Sequence, residues 1–490
     1  MAALALMTAA CSNSDNDILT PAEQPAKAEG IPFTATISVG ESGTTRALSE
    51  SGSTLVATWA VDDEVALIHN GVKDVMTVAS VSAGVATITG TITGSPADGD
   101  PVTIIYPATA ADGTTGNVKA GLLTAQDGTL ADVASKYDVR KGTGELQVSG
   151  DPAVASLNGN VSLNNQFAIW KLTLANNAKN LCIMADNITI AGATLGTEGK
   201  VFTVAVPAVS SKTVTIVAND ASNNCYYFSK AGVSLAAGTY YQSSPTMTAL
   251  DGDNSKPLYK ITATSGVTIP DGKTVVLSGV NISGDYITCN GNATIILMGD
   301  NTVSYDGTDE AAIKIGGSGS TLTITGSGSL TAQGGENAAG IGTDYANYGT
   351  LSGGNIVING GTVNATGGNY GGAGIGTGRA DNDYGYGASI TCGDITINGG
   401  TVTAQGGDGA AGIGTGLSIE GGASNECGKI TIGTGVISVT ATKGTGSPNS
   451  IGKGDAAGGT QTCGTITIGG DATTYAGGVT TSPFTYPTAP

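Results

Sequence analysis

From about residue 48 to residue 250, apolar and polar side chains alternate in short runs broken by glycine, aspartate and asparagine. Runs such as VATITGTI (85–92), VTIIYPA (102–108), FAIWKLTL (167–174) and KTVTIVA (212–218) have the length of a strand and are rich in β-branched residues. No window keeps a 3.6-residue period for more than a couple of turns, so the pattern predicts an all-β fold, arranged here as two β-sandwiches. After residue 250 the pattern changes. The phrase IVINGGTVNATGGNYGGAGIGTG (356–378) returns as ITINGGTVTAQGGDGAAGIGTG (395–416). Aligned units begin at Gly319, Gly353, Cys392, Cys427 and Cys463, at spacings of 34, 39, 35 and 36 residues. The motif A-G-I-G stands at 339–342, 373–376 and 411–414, and the irregular spacing falls in the segment that follows it.

Each unit reads as short strands joined by glycine corners, which is what one coil of a right-handed parallel β-helix (a solenoid) requires. One coil cannot bury its inward isoleucines, valines and alanines, whereas stacked coils can. Stacking predicts ladders of like residues at the strand spacing of about 4.8 Å: Ile356, Ile395, Ile430 and Ile466 inside, and Asn359 over Asn398 at a corner. Cys392, Cys427 and Cys463 form a third file, read as buried thiols packing like small apolar groups rather than as a disulfide or metal site. Less regular coils start near residue 260, and the C-terminal TTSPFTYPTAP suits the covering of the last open strand edge. The resulting division is 1–30 signal and linker, 31–155 first sandwich, 156–250 second sandwich and 251–490 β-helix.

Composition sharpens this picture. Of 78 glycines, 56 lie after residue 250, and aromatic residues make up 5% of the chain. Like charges repeated in register would repel up the stack, which accounts for how few charges the repeats carry. A formal charge of −19, from 39 acidic and 20 basic residues, argues against nucleic acid as a partner. There is one histidine, His69, expected as a solvated strand residue, and three arginines, Arg46, Arg140 and Arg379. Chemistry built on histidine has little to draw on, and the chain is read as a binding protein rather than an enzyme. No CxxC or CxxH spacing occurs, so zinc is not indicated. A bridge between Cys182 and Cys225 is left open by the sequence.

The opening MAALALMTAACSNSDND is apolar and then abruptly polar, too short to span a bilayer but suited to the tail of an export signal. T-A-A-C resembles a bacterial lipobox, which implies that Cys11 is lipidated and becomes the mature N-terminus. No basic residue precedes it, pointing to a start upstream of Met1. The Asp15-Asn16-Asp17 run resembles signals that send lipoproteins to the outer face of the outer membrane, so the expected location is surface-exposed and lipid-anchored.

FTATISVGESGTTRA, TWAVDDEVALIHNG, IIYPA, FAIWKLTL and LAAGTYYQSSPTMTAL occur in that order between about 31 and 250 and resemble the fimbrillin-like surface lipoproteins. The resemblance implies tandem transthyretin-like β-sandwiches, with Trp59 and Trp170 in their cores. It also implies cleavage after a leader arginine, here Arg46, and contact with other fimbrial subunits by strand addition. Because the chain continues past residue 250, the expected role is a tip, accessory or free-standing surface protein rather than a polymerising stalk.

The second half, with GDNT, LTITGSGSLTA and repeated AGIG over about 258–470, resembles glycine-rich β-helical carbohydrate-binding proteins, which implies polysaccharide binding and, in some members, calcium. The loops after A-G-I-G leave the stack at one corner and are expected to cluster on one flank. They carry Tyr345, Tyr348, Tyr384 and Tyr386 with Asp344, Asp381 and Asp383, a set able to stack on sugar rings and bond hydroxyls. Asp300, Asp306, Asp309 and Glu310, and the Asp251, Asp253 and Asn254 group, are the candidate calcium oxygens, although neither matches an EF-hand loop. Two other functions remain open. One is a structural spacer. The other is a calcium-dependent polysaccharide lyase, for which Arg379 beside Asp381 and Asp383 is the only fitting arrangement.

Overall fold

The computed structural model describes residues 30–39, 49–51, 54–56, 59–119, 121–382, 385–469 and 478–487. Alternation in the first segment places Phe33, Ile37, Val65, Leu67, Ile88, Ile104 and Leu163 in one core. Its eight strands follow the spatial order Val161–Asn165, Ile31–Val39, Val85–Ile92, Val72–Ser82, Glu64–His69, Pro101–Tyr106, Arg140–Ser149, Val154–Leu157. The sheet closes on itself, because Val161–Asn165 also pairs with Arg140–Ser149, and Ile31–Val39 with Val154–Leu157. The first sheet therefore runs past the 155/156 division, through Asn165. Trp59 is buried edge-on against Tyr106, ring centroids 5.0 Å apart. His69 departs from expectation. It is buried rather than solvated, with Nε2 3.6 Å from Asp74, because it projects from the same strand face as Val65 and Leu67, the face that the first core covers.

The second sheet is built on a long hairpin, Phe167–Ala185 and Ile188–Pro207, whose turn residues Asp186 and Asn187 take positive φ. Val209–Asn219, Cys225–Leu235 and Thr248–Ala249 extend it on one side, and Tyr240–Ser243 lies parallel to the first strand. Trp170 is buried and its indole N–H donates to Ser243 Oγ at 2.8 Å. One face of this sheet rests on the β-helix. Cys182, Met184, Val217 and Cys225 share an apolar cluster with Val276, Ile296 and Met298, and Thr189 Oγ1 accepts from Gly326 N at 2.9 Å. Cys182 and Cys225 are free buried thiols of this junction, not a bridge.

Beyond it, the strands stack as a parallel β-helix of three walls. In the first wall Val275, Ile295, Ile324, Ile358, Ile397, Ile432 and Ile468 lie in direct register, with Ile356, Ile395, Ile430 and Ile466 beside them. The second wall stacks Leu330, Val363, Val402 and Val439, alternating with Ala332, Ala365, Ala404 and Ala441. The third stacks Ile287, Ile313, Ile341, Ile375, Ile413 and Ile451. These side chains converge on one continuous core, each isoleucine contributing roughly 1.5–3 kcal/mol by burial. Asn398 Nδ2 donates to Asn359 Oδ1 at 2.9 Å, the corner ladder expected from the repeat. Phe484–Tyr486 pairs antiparallel with Val436–Thr442 and covers the second wall's last edge.

The A-G-I-G motif has a steric origin. Gly342, Gly376 and Gly414 have φ of 146°, 138° and 135°, and a Cβ on any of them would overlap the carbonyl oxygen of the equivalent glycine one coil on. Coils can approach there only as bare backbone.

Candidate functional site

Directly after each A-G-I-G stands a buried threonine, and its hydroxyl ties one coil to the next. Thr343, Thr377 and Thr415 accept from the N–H groups of Gly378, Gly416 and Gly454 at 3.0, 2.8 and 2.8 Å. The loops that follow are not separate excursions. They fold back into a fourth parallel sheet, Gly349–Ser352, Ala388–Cys392, Ala423–Cys427 and Thr460–Cys463, in consecutive register. Ala346, Ala380, Ala388, Ile390 and Ala423 fill the space beneath it. This lateral sheet fixes the tyrosine-bearing segments on one flank of the β-helix.

The structure divides the predicted residues by role. Tyr348 and Tyr386 are 66% and 83% exposed. Because Gly349 pairs with Ala388, these rings enter adjoining strands one residue out of register. Tyr345 is half-buried, with the Arg379 guanidinium 6.0 Å from its ring centroid. Asp381 is fully buried and ion-paired with Arg379, whose Nη1 lies 3.5 Å from Asn337 Oδ1. Asp344 accepts from Ala311 N at 2.8 Å and lies 3.2 Å from Lys314 Nζ. Burial pushes its carboxyl up to about 6, against the opposing pull of the Ala311 N–H and the Lys314 ammonium. Asp381 and Asp344 are thus scaffold groups whose charges are spent inside the protein. Asp383, Tyr384, Cys11 and Arg46 lie outside the described residues.

Several residues of the flank were missed by the sequence reading. Lys314 also pairs with Glu310 and sits 4.1 Å above the centroid of Tyr286, which meets Tyr305 edge-on at 5.4 Å. Tyr370, 57% exposed, stands in the turn between the second and third walls. The tyrosine at 370 precedes an A-G-I-G and could have been found from the repeat. Tyr286 and Tyr305 belong to the less regular coils, where the alignment carries no signal.

The four carboxylates proposed for calcium do not converge. Asp300 accepts from Ser329 Oγ at 2.7 Å, Asp309 Oδ1 faces Asn337 Nδ2 at 3.5 Å, Glu310 is held by Lys314, and Asp306 is exposed in the turn. Asp251 pairs with Lys256 and Asp253 with Ser255. Among the described residues no group of three or more His, Cys, Asp or Glu side chains is placed to hold a metal ion, and calcium takes about six to eight oxygens.

The sequence model of the β-helix repeat family matches residues 322–345, 356–379 and 395–417. No curated protein is significantly similar in sequence. Among solved structures, the chain is similar to a candidate cell adhesion protein from Bacteroides ovatus, at 12% identity over 45% of this chain and 95% of that one, with a TM-score of 0.27. A candidate cell adhesion protein from Bacteroides fragilis gives 10%, 45%, 97% and 0.27 for the same quantities. A fimbrial protein from Bacteroides ovatus gives 12%, 47%, 55% and 0.21.

Proposed function

We propose that the chain is a cell-surface adhesin whose β-helix binds carbohydrate along the flank built by the lateral sheet. The observation that carries this reading is the pair of strongly exposed rings, Tyr348 and Tyr386, which stand in the bends leading into two adjoining strands of the lateral sheet. An exposed tyrosine ring offers an apolar face and a hydroxyl together, which suits stacking on a flat, hydroxyl-rich partner such as a sugar ring. The neighbouring cations Lys314 and Arg379 already have carboxylate partners, so the flank has little pull on an anionic polymer. A lyase would need Arg379 as its base, and that guanidinium is engaged by Asp381.

Attachment to the outer membrane through a lipid on Cys11 belongs to the same proposal. So does entry into a fimbria as a tip or accessory subunit. Ile31–Val39 supports the latter, because it lies between Val85–Ile92 on one side and Val154–Leu157 and Val161–Asn165 on the other, burying Phe33 and Ile37. Removing that strand after cleavage at Arg46 would open a groove that only an alternating apolar strand could refill. The deciding experiment is a glycan array and insoluble-polysaccharide pull-down with the full chain. Retention on one glycan class supports the reading, and no retention on any leaves the β-helix a spacer.

A further inference from the structure

The described residues include six free cysteines, five of them buried, and the sixth, Cys463, partly buried at the end of a file of three. Cys392 pairs in register with Cys427, and Cys427 with Cys463, on successive strands of the lateral sheet. In-register residues on neighbouring parallel strands sit about 4.8 Å apart, inside the Cα window of about 4.4–6.8 Å that a disulfide accepts. Their Cβ atoms must still draw in by roughly 1 Å. Only one strand is free to do so. Ala423–Cys427 is hydrogen-bonded on both sides, whereas among the described residues Thr460–Cys463 pairs only with Ala423–Cys427.

We propose that Cys463 and Cys427 are a peroxide-oxidisable pair, Cys463 the attacking thiol and Cys427 the resolving one, which closes a reversible staple across the last two strands of the lateral sheet. Access selects Cys463, since Cys392 and Cys427 are 4% and 2% exposed. Contact with the Cys427 thiol and the nearby Lys453 ammonium hold the Cys463 thiol below its usual range, while burial pushes Cys392 up to about 12. The Cys463 thiolate attacks one peroxide oxygen, the O–O bond breaks and a sulfenic acid forms as hydroxide leaves. Cys427 sulfur then attacks Cys463 sulfur, the S–O bond breaks, and the departing hydroxide takes the Cys427 proton as water. Two thiols are oxidised and one peroxide is reduced to two waters. A staple that pulls two strands together is strained and readily reduced, which suits a reversible lock.

The test treats the full chain with hydrogen peroxide, blocks remaining thiols and maps peptides by mass. The expected product is a linked Cys427–Cys463 pair, with Cys463 consumed about tenfold faster than Cys392 or Cys289. In Cys427→Ser, dimedone should trap a sulfenic acid at Cys463, and in Cys463→Ser, Cys427 should stay reduced. A Cys392–Cys427 link, or oxidation spread evenly over the thiols, or Cys463 reacting no faster than Cys392, would overturn the proposal. The wild-type measurement stands even where a variant folds poorly.

Discussion

Gly414→Ala tests the stacked-coil geometry at its tightest point. At φ 135° an alanine sits in a region that L side chains rarely adopt, which costs about 1–3 kcal/mol. Its methyl also meets Gly452 O, the oxygen that accepts the Thr415 N–H at 2.9 Å. Forcing that oxygen away strands a buried N–H, for about 1–3 kcal/mol more. The sum is roughly 2–6 kcal/mol. Gly446→Ala is the control, because φ is 80° there and no atom lies within 4 Å, so the conformational cost of about 1–2 kcal/mol stands alone. Denaturant unfolding gives the total, and hydrogen exchange at residues 413–415 reports whether the loss is local, as expected for a repeat array. Equal destabilisation by the two substitutions would refute the close backbone approach.

Thr377→Val keeps the shape but leaves the Gly416 N–H without its 2.8 Å acceptor, so stability should fall by about 1–3 kcal/mol with faster exchange at that amide; unchanged exchange would remove the threonine ladder from the account. Asp344 is held up at about 6 against its usual 3.8, so the folded state binds the proton more tightly than the unfolded chain. Its contribution to stability is therefore full below pH 3.8 and is lost as pH rises through about 6, and Asp344→Asn should flatten that part of the stability–pH curve. A curve identical to wild type would show that the carboxyl is not held up.

The β-helix was legible because its physics repeats. A ladder writes the same residue at the same place in every coil, so Ile356, Ile395, Ile430 and Ile466 could be aligned from sequence and are found in register. The lateral sheet was legible only at its end, in the file Cys392, Cys427 and Cys463; its strands otherwise lie in segments of variable length, where GTLS, ASITC and ASNEC lack the apolar alternation that marks the walls. Two acids look like recognition groups in a loop but are engaged by the protein: Asp381 by Arg379, and Asp344 by Ala311 N and Lys314 of the preceding coil. His69 was misplaced for a different reason: its polarity suggested solvent, yet it has the strand parity of Val65 and Leu67, which lie in the first core, and it is carried inward beside Asp74.

The binding flank is tested most directly by calorimetric titration of the retained glycan into wild type and into the double variant Tyr348→Ala/Tyr386→Ala. Both rings are largely exposed, so the variant should melt close to wild type. Loss of two stacking contacts of about 1 kcal/mol each should weaken binding about 30-fold. Unchanged affinity in a normally folded double variant would contradict the account.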